Sequence, residues 1–175
     1  MRLWILILGG LIVVLSAFVL GRVTSSNSRV VKEQNNITSV QSPKKIVTLN
    51  REFEFGPATT KFKFILDSAE LRDEIIIKGQ KAHAIDGKDF LVLNIKIKND
   101  KDKPIELITS DFIRLSVNGN DSNTVAPDIH NDPVVVQAIS TKETRVGFPI
   151  NESDKSLKLL VGEINGEKNT IDLNF

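Results

Sequence analysis

Hydrophobic and polar positions divide this chain into three regimes. Leu3 to Leu20 is apolar and uncharged, bounded by Arg2 and Arg22. Residues 22–45 are dominated by Ser, Asn, Thr, Gln and charged side chains, with Pro43 near the end. From residue 46 onward apolar side chains recur at alternate positions, the spacing that puts them on one face of a pleated strand. Leu91, Leu93, Ile95 and Ile97 make the longest such face. Phe62, Phe64 and Leu66 make another, although Ile65 adds an apolar residue to its far side. The pattern recurs at Ile113, Leu115 and Val117, at Val146, Phe148 and Ile150, at Leu157, Leu159 and Val161, and at Ile171, Leu173 and Phe175. Helical spacing wins nowhere after residue 45.

The first regime predicts a membrane helix. At ~1.5 Å rise per residue it is about 27 Å long, close to the ~30 Å hydrocarbon layer of a bilayer. Leu3, Trp4, Leu8, Leu11, Val14, Phe18 and Leu20 would be among its lipid-embedded side chains. Trp4 suits the interfacial aromatic belt and equally an ordinary place in the run. A cleavable signal has an apolar core of roughly 7 to 15 residues followed by small side chains. This run is longer, and Ser16-Ala17-Phe18 sets a ring where a small group is needed, while Val19-Leu20-Gly21 is a passable match. An uncleaved signal-anchor over residues 1–21 is therefore favoured. Arg22, Arg29 and Lys32 argue against export of the C-terminal remainder, whereas a positive tip leading straight into an apolar run argues for it. The expected location is the cell membrane, single-pass, with the C-terminal domain extracytoplasmic. Residues 22–45 read as a flexible polar stalk with an r.m.s. span of roughly 25 to 30 Å.

Turn chemistry supports strands over 46–175. Asn118-Gly119 and Asn165-Gly166 supply the positive φ angles of a type I′ hairpin, and Asp86-Gly87 is a third candidate. Asn99 to Pro104 reads as a polar turn and Pro127 to Pro133 as a loop. Pro149 interrupts a good strand pattern, so that strand should lie at an edge or leave the sheet there. Seven to nine short strands with regular turns predict an all-β, two-sheet antiparallel sandwich, with an immunoglobulin-like arrangement as the specific expectation. The Cys…Trp…Cys signature of antibody domains is absent, since the single tryptophan is Trp4 and there is no cysteine.

Composition narrows the function classes. The chain holds 23 Lys+Arg and 22 Asp+Glu; without Arg2 and Arg22 the balance is 21 to 22, with the signs mixed. A near-neutral domain lacks the basic stripe that nucleic acid requires, so no nucleic-acid partner is expected. With no cysteine there is neither a disulfide framework nor a lipid-modified thiol, and the fold must rest on its core.

The run Phe90-Leu-Val-Leu-Asn-Ile-Lys-Ile-Lys-Asn99, the charged turn ending at Pro104-Ile-Glu-Leu, and Ser110-Asp-Phe-Ile-Arg-Leu-Ser-Val-Asn-Gly119 carry a family likeness. They resemble the telokin-like extracellular domain of unknown function found in bacterial and archaeal immunoprotective-antigen-type lipoproteins and membrane-anchored proteins. Glu143 to Ile150 and Leu157-Lys-Leu159 are similar to that family's later strands. Ser140-Thr141-Lys142 stands where the family often has Pro-Gly, and the usual lipid-bearing cysteine is missing. The resemblance implies an exported immunoglobulin-like sandwich and brings no catalytic or ligand residues with it.

Candidate chemistry is sparse. Asp128, His130 and Asp132 place an imidazole between two carboxylates at alternate positions, and His83 with Asp86 and Asp89 forms a second group. Neither has a metal-ligand spacing, and Asp, Asn and Pro are what loops use to cap their own backbone, so no metal and no cofactor is assigned. There is no Gly-x-Ser-x-Gly elbow, no cysteine nucleophile and no glycine-rich phosphate loop. The expectation is a non-enzymatic module, anchored in the lipid bilayer by its helix, that contacts an envelope protein. Its contact surface is expected at the Asp128–Asp132 loop or the edge near Pro149. A small-ligand or metal sensor and a structural accessory subunit of a membrane complex are the alternatives.

Overall fold

A computed structural model describes residues 40–175. The signal-anchor positions Leu3 to Leu20 and most of the expected stalk lie outside the described residues. Among those described, no helix is long and apolar enough to cross a membrane.

Among the described residues eleven strands follow one another: β1 (Lys45–Phe55), β2 (Phe62–Arg72), β3 (Glu74–Ile77), β4 (Gln80–His83), β5 (Lys88–Asn99), β6 (Ile105–Leu107), β7 (Ile113–Ser116), β8 (Val134–Val136), β9 (Ser140–Asn151), β10 (Lys158–Val161) and β11 (Asn169–Asp172). A 3₁₀ turn, Thr109–Phe112, precedes β7. One antiparallel sheet has the order β1-β2-β5-β9 and a second the order β11-β10-β7; β3-β4 and β6-β8 are two-stranded ladders.

Period two does what the sequence implies. Leu91, Leu93, Ile95 and Ile97 of β5 share one face with Phe64 and Leu66 of β2 and with Val146, Phe148 and Ile150 of β9. That face packs on Ile113, Leu115, Leu159 and Val161 of the second sheet in one buried cluster. Fully burying such a side chain is worth about 1.5–3 kcal/mol, so this face holds the two layers together. Ile65 stays on the outer face, half-buried opposite Lys96; beyond it the β2–β5 register shifts at a bulge between Leu66 and Ser68, after which Ala69 and Leu71 take the inward positions. Asn99, which ends the alternating run, is fully buried. Its amide donates to the carbonyls of Lys103 (2.8 Å) and Gln137 (3.0 Å) and accepts from the Lys101 N–H (3.0 Å), tying the polar turn to the end of β8.

Pro149 sits on β9, the edge of the four-stranded sheet, as expected. It has the same parity as Gly147, whose N–H and C=O point away from β5, so the missing donor falls on the outer side.

Several expectations need correction. The C-terminal end of the expected stalk is tied to the sandwich: β1 starts at Lys45, the Lys44 N–H donates to the Leu71 carbonyl (2.8 Å), and Arg72 donates to the Gln41 carbonyl (2.7 Å). As an edge strand β1 is mostly exposed, and its polar start therefore reads as linker. Asn118 and Gly119 adopt the positive φ angles of a type I′ turn (57° and 71°), but the returning chain meets β7 only at the Leu115–Val125 bridge. Asn165-Gly166 does lie in the β10–β11 hairpin, yet neither residue has positive φ. The loop 162–168 instead wraps the Lys168 ammonium, which donates to the carbonyls of Gly162 (3.1 Å), Glu163 and Ile164 (3.3 Å). A type I′ pair occurs at Lys78-Gly79 (49° and 77°), joining β3 to β4.

Candidate functional site

The Asp128–Asp132 loop is built against the outer edge of β9. The Asp128 and Ile129 N–H groups donate to the Gly147 carbonyl (3.0 and 3.1 Å), and the Gly147 N–H returns a bond to Ile129 (2.7 Å). A side chain at Gly147 would bring its Cβ within 3.3 Å of the Ile129 Cβ, so glycine permits the close seat. Asp128, His130 and Asn131 face solvent. Between this loop and the β3–β4 hairpin lies a groove of about 310 Å³ floored by Ile75, Val92 and Ile129.

Asp132 does not belong to that exposed surface. Its carboxylate turns inward and accepts from the Thr109 N–H (2.7 Å), the Thr109 hydroxyl (2.6 Å) and the Ser110 N–H (2.9 Å), capping the 3₁₀ turn. Burial pushes this carboxyl up, but the bonds from Thr109 and Ser110 outweigh it and hold it below the usual carboxylate range. His130 Nδ1 stands 3.2 Å from its Oδ2. The expected contact trio is thus two exposed side chains and one structural cap.

The second histidine group is split. His83 faces Glu74 (3.6 Å), whereas Asp89 pairs with Lys44 (2.7 Å). Glu74, which the sequence did not single out, is buried; the Gln41 N–H bond and then Lys81 hold its carboxyl down despite burial. Among the described residues no three His, Cys, Asp or Glu side chains converge as metal ligands.

A larger cavity lies elsewhere. A cleft of about 690 Å³ opens between loop 56–60, β6, the 3₁₀ turn and loop 163–166. Five of the nine phenylalanines gather beneath it: Phe112 stacks on Phe55 with ring centres 5.0 Å apart, meets Phe62 edge-on at 5.6 Å, and lies 5.8 Å from Phe64, while Phe53 stacks on Phe55. Phe62 and Phe112 reach the cleft wall. Ile108 and Ile164, 46% and 60% exposed, stand on its rim with the carboxylates of Glu106, Asp111 and Glu163. Gly56, at φ 87°, donates its N–H to Glu163 (2.8 Å) and joins the two loops that form one wall. The repeat Phe53-x-Phe55 and Phe62-x-Phe64 signals an aromatic cluster in sequence; that Phe112 and two distant loops complete a cleft over it does not show there. The lining offers apolar surface and negative charge, and contains no nucleophile paired with a base.

Two antiparallel sheets closed over one apolar core define a β-sandwich protein. Among solved structures, the chain is similar to a conserved hypothetical protein from Bacillus anthracis, at 18% identity over 75% of this chain and 99% of that one, with a TM-score of 0.52. It is similar also to an uncharacterized β-sandwich protein from Clostridium difficile 630, at 18% identity over 76% and 100% of the two chains, with a TM-score of 0.51. At such identity the likeness is one of fold. No family model matches the chain, and no curated protein does.

Proposed function

We propose that this chain is a non-catalytic binding module of the cell envelope, tethered by residues 1–21 and presenting its sandwich outside the membrane, with the phenylalanine-floored cleft as its contact surface. The observation that carries the reading is the cleft itself. Its volume falls in the range of ligand sites, and two half-exposed isoleucines on one rim are what a protein partner covers. Burying each would contribute about 1 kcal/mol, enough to add to an interface without making the free protein insoluble. The cleft therefore replaces the Asp128–Asp132 loop as the leading contact site, because Asp132 is engaged in holding the 3₁₀ turn.

Strand order supports the finer fold reading. β2-β5-β9 and β7-β10-β11 follow the neighbour relations of immunoglobulin strands A-B-E and C-F-G in the same chain order, with β1 added outside strand A. This is the arrangement that the telokin-like resemblance implies. The tether rests on the apolar run and its flanking charges.

Two measurements test the proposal. Protease added to intact cells should remove residues 46–175, and survival of the domain until lysis would place it in the cytoplasm. A photo-cross-linking amino acid at Ile108 should trap an envelope protein in living cells, while the same group at Ile85, exposed outside the cleft, should not. Equal trapping at both positions, or none at Ile108, would refute the cleft as the contact surface.

A further inference from the structure

We infer that the cleft takes an extended polypeptide segment in which an apolar side chain is flanked by lysine or arginine, laid along the open edge of β6. This rests on the reading of the cleft as a contact surface and names what it recognises.

Charge is the first argument. Some exposed carboxylates of the sandwich are matched, Glu52 with Lys63 (2.7 Å), Glu54 with Lys61 (2.6 Å), Asp67 with Lys96 (3.0 Å) and Asp121 with Lys158 (2.7 Å), and others, such as Asp86, Asp128 and Glu143, stand apart from one another; at the cleft three gather around one apolar surface. Glu106, Asp111 and Glu163 form no ion pair among the described residues, and no Lys or Arg lines the cleft. Two nearby cations are turned to other work. Lys168 is bound to the carbonyls of its own loop, and Arg114 donates to the carbonyls of Ser110 and Ile113. A rim of three unmatched carboxylates around an apolar floor attracts a cation that carries apolar surface and repels an acidic segment.

Backbone is the second. β6 pairs with β8 on one side only, and among the described residues no strand meets its other edge. Residues 104–108 all line the cleft. An added strand would find ladder partners there, and its alternate side chains would point toward the Phe62 and Phe112 rings. Phenylalanine faces also favour a cation set beside them. A peptide uses all three features at once, whereas a small organic cation would leave the β6 edge unpaired.

The test uses the full chain in nanodiscs of zwitterionic phosphatidylcholine and two fluorescein-labelled peptides: Gly-Ser-Lys-Ile-Phe-Lys-Ser-Gly, and its twin with glutamate for each lysine. Fluorescence anisotropy should show the basic peptide binding at least about tenfold more tightly than the acidic one, with the preference shrinking at high salt. The pair of substitutions Glu106→Lys and Asp111→Lys should abolish the preference. Ile108→Ser, which removes apolar surface without adding charge, should weaken the basic peptide, and matching circular dichroism melts should show these changes leave the fold intact. Equal binding of the twins, preference for the acidic one, or indifference to Glu106→Lys/Asp111→Lys would overturn the inference. If neither peptide binds, it also falls, while cross-linking at Ile108 decides separately whether the cleft is a contact surface.

Discussion

Removing the Asp132 carboxylate is the sharpest probe of how this domain is held together. In Asp132→Ala three donors lose their acceptor at once: the Thr109 N–H and hydroxyl and the Ser110 N–H. Thr109 is fully buried, so water does not replace the lost bonds. Hydrogen bonds to a charged group contribute about 1.5–3 kcal/mol each, but they share one acceptor and the turn can partly relax, so the expected loss is about 2–4 kcal/mol. The loss should depend on pH. Because the carboxyl titrates lower in the folded protein than in the unfolded chain, the unfolded state binds more protons as pH falls through the ordinary carboxylate range near about 3.9. The stabilisation is thus fully present above that range and disappears as pH drops through the folded value. Urea unfolding of the full chain in detergent, for the natural protein and the variant at pH 7 and again near pH 2.5, should show a large gap that narrows in acid. Asp128→Ala and His130→Ala, whose side chains face solvent, should stay within about 0.5 kcal/mol at pH 7. A gap below about 0.5 kcal/mol for Asp132→Ala, or one unchanged by acid, would refute the capping argument.

Other sites give equally definite outcomes. Gly162→Ala would place its Cβ 2.3 Å from the Glu167 carbonyl oxygen, and the forced shift of loop 162–168 should cost about 1–3 kcal/mol in urea unfolding. Asn99→Asp keeps the shape but loses the amide donors to Lys103 and Gln137 in a fully buried position, so a loss of about 3 kcal/mol or more is expected in the same assay at pH 7. Gly147→Val should push Ile129 off the β9 edge, read as faster hydrogen exchange at the amides of Asp128, Ile129 and the substituted position than at those of the β5–β9 ladder. Ile164→Asp, at an exposed rim position, should leave the thermal midpoint within about 2 °C while reducing cross-linking from Ile108.

The two edges of the four-stranded sheet are managed differently. On β9 the 128–131 loop covers the centre of the edge, and Pro149 withholds a donor beside it. On β1 the register breaks between Thr48 and Arg51, with Asn50 at a φ of 47°, which interrupts the flat template that another chain would need. β6 carries neither a covering loop nor a register break, and its open edge is the one that lines the cleft.

Alternation along Phe90–Asn99, Ile113–Val117, Val146–Ile150 and Leu157–Val161, together with Pro149, was enough to establish an all-β antiparallel fold, its inward side chains and one sheet edge, because strand faces and missing donors are local properties of the chain. Short strands such as β3, β4, β6 and β8 were not legible, since three or four residues do not complete a period, and β1 was hidden by its exposure. Asp132 looked like a member of an exposed trio because its burial depends on Thr109 and Ser110, more than twenty residues away. The cleft was hidden for the same reason: it exists only where the 56–60 and 163–166 loops, β6 and Phe112 are folded together. Periodicity specifies which way a side chain points within its own strand. What that side chain then meets is decided by closure of one layer on another, which no local pattern encodes.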